Sequence, residues 1–380
     1  MYRPLKIIIS GGGTGGHIFP AISIASEFKK VNPKSEILFV GAKGKMEMEK
    51  VPAAGFKIIG LPICGIQRKI SLKNILANIQ VPFKALYSKS KAGRIIKKFS
   101  PDIAIGVGGY ASAPLLSAAV KAHIPTLIQE QNGFAGLTNR MLAKNVDKIC
   151  VAYSGMEKFF PANKIVMSGN PIRPEITETT PELKAEGLAH FQLNPSKKHL
   201  LIIGGSLGCG TLNRTIEKWI SENMPEGENV EVLWQCGKYY EPEVKSFMNA
   251  HPCKNIHYSA FIDRMDLAYA CSDLILSRSG ASSISEICVA GKACIFVPSP
   301  NVAEDHQTHN AMALVNKGAA LMVRDSEAED KLMHEAMNLI KDGNRLAEIE
   351  RAALGLGMAN AARIIVDEAY KLLSNHEKIN

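Results

Sequence analysis

Short apolar runs alternate with stretches of helical spacing along almost the whole chain. Ile7–Ile9, Ile37–Val40, Ile103–Val107, Thr126–Gln129, Lys148–Val151 and Ile165–Ser168 read as strands. His199–Ile203, Glu231–Gln235, Asn255–Ser259, Leu274–Ser277 and Ala293–Val297 read the same way in the second half. Helical stretches such as Ala21–Lys30 and Ala111–Ala122 lie between them. This alternation predicts an α/β protein with parallel sheets and crossover helices. Ligands in such folds sit beyond the carboxyl ends of the strands.

The pattern also repeats on a larger scale. Ile7-Ile8-Ile9 runs into Ser10-Gly11-Gly12-Gly13-Thr14-Gly15-Gly16-His17, and Leu200-Leu201-Ile202-Ile203 runs into Gly204-Gly205-Ser206-Leu207-Gly208. Two strand, glycine-rich turn and helix units half a chain apart predict two similar α/β domains, and 380 residues suffice for two cores. The boundary falls near Gly169-Asn170-Pro171-Ile172-Arg173-Pro174, an extended linker by its prolines and glycine. The expected division is 1–170 and 171–358, with a last helix at about 359–374 that can return to the first domain.

The first glycine turn carries the sharpest chemical signal. Glycines there let backbone N–H groups approach a ligand, and the helix behind them adds unpaired donors and partial positive charge. Gly11-x-Gly13-x-x-Gly16 satisfies the dinucleotide fingerprint, which alone is weak. The second strand ends in Gly41-Ala42-Lys43 with no carboxylate to hold a ribose. No Gly-Lys-Ser/Thr follows the turn, so the Walker pattern fails as well. His17 adds a titratable group to a cavity sized for a phosphate or a sugar.

Composition is that of a globular chain, 46% hydrophobic and 21% charged. No apolar run reaches the roughly 18 to 20 residues that span a bilayer, and no secretory signal pattern opens the chain. Eight cysteines occur without a Cys-x-x-Cys or zinc spacing, which fits reduced, buried thiols and no metal site. The net charge of +9 is concentrated in one place. Lys50 to Pro101 holds no Asp or Glu but eleven Lys or Arg, leaving 34 basic against 36 acidic residues elsewhere. Within it Leu72, Ile75, Leu76, Ile79, Phe83, Leu86 and Tyr87 recur at helical steps, interrupted near Pro82, with Lys73, Lys84, Lys89, Lys91 and Arg94 around them. A core-facing helix with a solvated basic face would account for this. The absence of acidic residues favours docking on an anionic membrane surface. Nucleic acid ranks last, because stacking aromatics are sparse.

Four more segments follow strands. Gly108-Gly109-Tyr110-Ala111-Ser112 and Gln129-Glu130-Gln131-Asn132-Gly133-Phe134-Ala135-Gly136 do so in the first half. Ser277-Arg278-Ser279-Gly280 in the second half opens a helix in which Glu286 can accept two hydrogen bonds from a cis-diol, or cap the helix instead. Pro298–Ala311 offers Gln307 and Asn310 to sugar hydroxyls. Its His306 and His309 make a weak metal pair, with no third ligand at suitable spacing. Six loops at one kind of strand end carry more weight than any single motif.

Taken together these segments resemble the MurG family, the UDP-N-acetylglucosamine:lipid I N-acetylglucosaminyltransferases of bacterial peptidoglycan synthesis. The matching stretches are Gly12–Pro20, Gly108–Tyr110, Glu130–Asn139, Gly169–Arg173, Gly204–Gly208, Phe261–Asp263, Ser279–Glu286 and His306–Ala311, in family order. The resemblance implies a GT-B glycosyltransferase, two Rossmann-like doubly wound domains facing across a cleft. It implies UDP on the second domain, with Ile262 meeting uracil through its backbone and Glu286 the ribose. Ala281, Ser282, Ser283, Ile284 and Ser285 would line the helix start before Glu286. Ser206 would receive the diphosphate, Arg173 would contact the nucleotide sugar, and Gln307 would touch the N-acetylglucosamine. Thr14, Gly15, Gly16 and Asn132 would complete the donor site from the first domain. Leu207-Gly208-Cys209 departs mildly from the family pattern, in which a polar residue and alanine are often seen.

The implied reaction is single displacement with inversion, in which a muramyl hydroxyl of lipid I attacks the anomeric carbon and expels UDP. His17 is the candidate base, with hydrogen bonding to donor or phosphate as its alternative role. The chain has no Asp-x-Asp, so helix N-termini, Ser206 and Arg173 are expected to stabilise the leaving diphosphate, and no cofactor is expected. The expected place is the cytoplasmic face of the bacterial inner membrane, held peripherally through Leu72, Lys73, Ile75, Ile79, Phe83 and Lys84. A UDP-N-acetylglucosamine 2-epimerase or another lipid glycosyltransferase is the alternative.

Overall fold

The computed structural model describes residues 2–63, 81–205, 208–224 and 229–379. They form two compact units, Met1–Arg173 with Asn360–Asn380, and Pro174–Ala359.

In the first unit seven parallel strands pair in the order β3-β2-β1-β4-β5-β6-β7. They are β1 Lys6–Ser10, β2 Glu36–Ala42, β3 Lys57–Leu61, β4 Ile103–Gly106, β5 Thr126–Glu130, β6 Lys148–Val151 and β7 Ile165–Met167. The register runs Ile7 to Ile37 and Ile103, and Ile9 to Phe39 and Ile105. Because side chains alternate across a strand, Ile7 and Ile9 enter one core while Ile8 enters the other. All three are fully buried, which is why this strand reads as an unbroken apolar run rather than an alternating one. The first core is closed by helix Gly15–Val31, through Ile18, Ile24 and Phe28, and by the last helix, Ala361–Ile379, through Ile365, Val366, Ala369 and Leu372. The chain end is thus part of the first unit, and Tyr370 Oη donates to the Arg3 carbonyl at 2.8 Å. Helices Val81–Phe99 and Ser112–Lys121 close the opposite core with Ala92, Ile95, Ile96, Leu115 and Leu116.

In the second unit six parallel strands pair in the order β10-β9-β8-β11-β12-β13. They are β8 Lys198–Ile203, β9 Val230–Gln235, β10 Ile256–Ser259, β11 Leu274–Ser277, β12 Cys294–Phe296 and β13 Leu321–Met322. Trp234 is fully buried at the centre of the core, and its indole N–H donates to Asn213 Oδ1 at 3.0 Å. At the amino-terminal edge of this sheet the charges are structural. Burial raises the Asp273 carboxyl, but hydrogen bonds from His199 and Lys184 outweigh it and hold Asp273 well below the usual carboxylate range.

Two parallel-sheet domains are therefore present, as the alternation predicts. Two edge strands escape the sequence pattern. Lys57–Leu61 is only half-buried over Ile58–Gly60, and Leu321–Met322 is two residues long. In each sheet the strand order reverses once, between β1 and β4 and between β8 and β11. Those reversals are where a doubly wound sheet opens its ligand crevice.

Candidate active site

All six candidate loops leave the carboxyl ends of their strands: those after β1, β4 and β5 in the first unit, and those after β8, β11 and β12 in the second. In the first unit Thr14 precedes helix Gly15–Val31 in extended backbone, and Gly15, Gly16 and His17 form the first turn. The Thr14 hydroxyl does not cap the helix; its Oγ1 lies 3.2 Å from His17 Nδ1. His17 is half-buried. Its ring lies over Gly108, where a Cβ would come within 2.8 Å of Nε2 and where φ is +89°. Only glycine meets both conditions there. The β1 and β4 turns thus interlock at the strand-order reversal.

A carboxylate missing from the sequence picture enters here. Strand β2 has no carboxylate at its end, yet Glu47 begins helix Glu47–Ala53 and is fully buried against the glycine turn. Its oxygens accept from Gly13 N–H at 3.0 Å and Ala42 N–H at 2.8 Å. It serves the backbone, not a ribose.

The loop after β5 is built around a second buried carboxylate. Glu130 accepts from Asn132 N–H at 3.1 Å, Gly136 N–H at 3.0 Å and Asn139 Nδ2 at 2.9 Å. Burial raises its carboxyl above the ordinary range, and these hydrogen bonds pull it part of the way back. Asn132 Nδ2 itself donates to Glu130 at 3.3 Å. Gln131 Nε2 donates to the Val107 carbonyl at 3.0 Å, tying the loop to the end of β4. Asn170 accepts from Gln129 at 2.9 Å and donates to the Gln131 carbonyl at 3.0 Å, so the linker starts from this same loop. Arg173, the last residue of this segment, is half-buried.

In the second unit helix Ala281–Ala290 starts from Gly280 with no side-chain cap. Ala281 and Ile284 are buried, Ser282, Ser283 and Ser285 half-buried, and the Ser282 hydroxyl has no hydrogen-bond partner among the described residues. Glu286 is 5% exposed, and Tyr269 Oη donates to its Oε2 at 3.1 Å. Ile262 is buried just beyond β10. Gln307 opens helix His306–Val315, and its Oε1 accepts from Ser299 N–H at 2.9 Å. Ser279 Oγ donates to the Gln307 carbonyl at 2.9 Å, which joins the β11 and β12 loops. Arg278, not among the expected site residues, holds the same loop through the Val297 and Pro298 carbonyls at 2.9 and 3.1 Å. Cys209, where the chain departs from the family pattern, caps helix Gly210–Ser221 by accepting from Leu212 N–H at 3.4 Å. Ser206 lies outside the described residues.

The expected site residues thus divide between the units, Thr14, Gly15, Gly16, His17, Asn132 and Arg173 in the first and Ile262, Ala281–Glu286 and Gln307 in the second. Among the described residues no three His, Cys, Asp or Glu side chains gather as a metal set. Of the basic segment, Leu72, Lys73, Ile75 and Ile79 lie outside the described residues, as does the Phe83 side chain. Lys84 is half-buried on helix Val81–Phe99. Leu86 and Tyr87 of the apolar stripe do not face the core; they are 71% and 55% exposed.

The chain matches the Glycosyltransferase family 28 N-terminal domain over residues 7–151 and the Glycosyltransferase family 28 C-terminal domain over residues 199–365. It is 51% identical over 371 residues to a protein of Parabacteroides distasonis, the UDP-N-acetylglucosamine--N-acetylmuramyl-(pentapeptide) pyrophosphoryl-undecaprenol N-acetylglucosamine transferase, covering 98% of this chain and 99% of that one. The chain belongs to this transferase family. The protein of the same name from Bacteroides thetaiotaomicron is 52% identical over 373 residues, again covering 98% and 99%. A crystal structure of Acinetobacter baumannii MurG superposes with a TM-score of 0.77 at 28% identity, covering 97% of this chain and all of that one. A UDP-N-acetylglucosamine 2-epimerase superposes at 0.64 with 16% identity, over 97% and 95%, a likeness of fold alone. The fold class shared by these relatives is GT-B, and within it the chain is a MurG-family glycosyltransferase.

Proposed function

We infer that this chain transfers N-acetylglucosamine from UDP-N-acetylglucosamine to lipid I, undecaprenyl-pyrophosphoryl-MurNAc-pentapeptide, giving lipid II with inversion at the anomeric carbon. The observation that carries this reading is near-full-length identity of about half to transferases named for that reaction. The epimerase alternative is not favoured, because its likeness stops at the fold.

The donor nucleotide belongs to the second unit. The uncapped start of helix Ala281–Ala290 offers backbone donors and the unpartnered Ser282 hydroxyl. Glu286, already steadied by Tyr269, accepts from the ribose hydroxyls. Gln307 turns its amide nitrogen to the sugar, since its oxygen is held by Ser299. Ile262, Ser206 and Arg173 keep the roles implied by the family, on uracil, diphosphate and nucleotide sugar. Thr14, Gly15, Gly16 and Asn132 keep the donor contacts implied by the family, and the acceptor belongs to the first unit beside His17.

His17 is the base. In the tautomer whose Nδ1–H donates to Thr14 Oγ1, Nε2 carries the lone pair that takes the proton of the muramyl hydroxyl. The oxygen then bonds to the anomeric carbon as the carbon–oxygen bond to the diphosphate breaks and UDP leaves.

The acid-free segment docks on the anionic surface of the membrane that holds lipid I, on its cytoplasmic face. Exposed Leu86 and Tyr87 among Lys and Arg side chains support this. No helix among the described residues is long and apolar enough to cross a membrane. The test is incubation with sugar-labelled UDP-N-acetylglucosamine and lipid I. Label in a disaccharide lipid is the expected result. Label in free epimerised sugar, or no transfer, overturns the reading.

A further inference from the structure

We propose that Glu47 is a positioning residue for the reaction, holding the glycine turn that carries Thr14 and His17; this rests on the functional reading above. The carboxylate is fully buried at the head of helix Glu47–Ala53. One oxygen takes Gly13 N–H at 3.0 Å and the other takes Ala42 N–H at 2.8 Å, so a single side chain ties the turn after β1 to the end of β2. The neighbouring backbone is shaped around the group. A Cβ on Gly12 would lie 2.2 Å from Glu47 Oε1, and one on Gly41 would lie 2.5 Å from its Cγ. Both glycines vacate the space the carboxylate fills.

Two consequences follow. In a dinucleotide site the second glycine of the fingerprint lets the backbone meet the pyrophosphate. Here that residue is Gly13, and its N–H already points at Glu47. The turn therefore satisfies the fingerprint with the amide of its second glycine already taken. Second, the peptide bond entering Gly13, one residue before Thr14, is fixed from behind. Thr14 Oγ1 in turn meets His17 Nδ1. Glu47 thus sets the direction from which His17 approaches the acceptor, without touching it.

Glu47→Gln retains the shape but leaves one of the two amides facing an NH₂ group. The expected result is a fall of about 10- to 100-fold in kcat/KM for a soluble lipid I analogue, the cost of a misplaced reacting group. The dissociation constant for UDP, measured by calorimetry, should stay within about twofold, since UDP is assigned to the other unit. In a His17→Ala background Glu47→Gln should cost less than about threefold, because residues acting through one another are not additive. Equal losses in both backgrounds would overturn the positioning role. A second cycle reads the clamp without activity. Gly12→Ala should lower the melting temperature in the natural chain and be nearly neutral once Glu47→Ala has removed the obstructing oxygen. Equal destabilisation in both overturns the clamp itself. If the natural chain makes lipid II but His17→Ala retains its turnover, the base assignment falls and the Gly12 cycle alone decides for or against Glu47.

Discussion

In the first unit a buried carboxylate holds the turn after β1, whereas in the second the start of the helix after β11 keeps a buried hydroxyl without a partner among the described residues; neither helix has a side-chain cap. Gly13 N–H is taken by Glu47, Thr14 by His17, and Asn132 by Glu130. Across the second unit's strand-order reversal no side chain caps Gly280, and the buried Ser282 hydroxyl has no partner among the described residues. The two uncapped helix starts thus differ in what surrounds them. A braced turn holds a side chain in a set direction, which suits proton transfer. An uncapped helix start with a spare hydroxyl beside it leaves donors and dipole for a ligand to satisfy, which suits a diphosphate. A glycine-rich turn in sequence does not distinguish the two; the partner of its amides does.

The largest effect should come from His17→Ala. Loss of a general base typically costs about 10²- to 10⁴-fold, so single turnover at saturating substrates should fall by that order with UDP affinity unchanged. A parallel loss of UDP affinity would make the braced turn a nucleotide site and collapse the contrast. Next comes Glu286→Gln. A hydrogen bond to a charged group contributes about 1.5–3 kcal/mol, so UDP should bind roughly 10- to 100-fold more weakly. The natural chain should also prefer UDP to its 2′-deoxy analogue and the variant should not. Undiminished preference in the variant would leave Glu286 a structural role, beside Tyr269.

Most of the scaffold behind this contrast is legible in the sequence. Ile7-Ile8-Ile9 must be buried on both sides, so the parallel sheet is written in three residues. The six loops follow from their place after strands. What is not legible is which polar groups turn inward. Glu47 stands in Lys43-Gly44-Lys45-Met46-Glu47-Met48-Glu49-Lys50, a run whose charges read as a solvated surface. Its partner Gly13 is 34 positions away, and only the packing of β2 beside β1 brings them together. Arg278 is similar, since its acceptors lie on the loop of a neighbouring strand. The edge strands failed for a different reason: β3 carries Gly60 in a half-buried run, and β13 is too short to show a period.

A smaller effect tests the bracing by pH. Burial raises the Glu130 carboxyl from its usual 4.5, more than its hydrogen bonds from Asn139, Gly136 and Asn132 lower it. The folded state therefore holds that proton more tightly than the unfolded state does. Stability from this group falls as pH rises from 4.5 through the raised folded value. Melting temperatures of the natural chain and Glu130→Gln, compared from about pH 4 to 7, should show the natural chain losing ground with rising pH. The variant carries a constant offset from its lost acceptor. A constant difference across that range would mean Glu130 is ionised throughout and its loop is held by charge after all.

The smallest expected effect concerns where each unit meets its substrate. The positive excess lies wholly between Lys50 and Pro101, in the first unit. A basic side chain near an anionic surface contributes about 1 kcal/mol, or roughly fivefold in partitioning. Lys84→Gln and Lys89→Gln should each weaken binding to anionic vesicles by about that factor. The losses should shrink at high salt, where the screening length falls from about 10 Å to about 3 Å. Leu86→Ala removes exposed apolar surface instead, so its loss should persist at high salt. UDP binding should respond to neither vesicles nor these substitutions. Vesicles that compete with UDP would place the membrane surface on the nucleotide unit. Equal binding to neutral and anionic vesicles would reduce the basic segment to a solvated face. Salt-sensitive lysines beside a salt-insensitive leucine would instead mark the first unit as the one that approaches a lipid-borne acceptor.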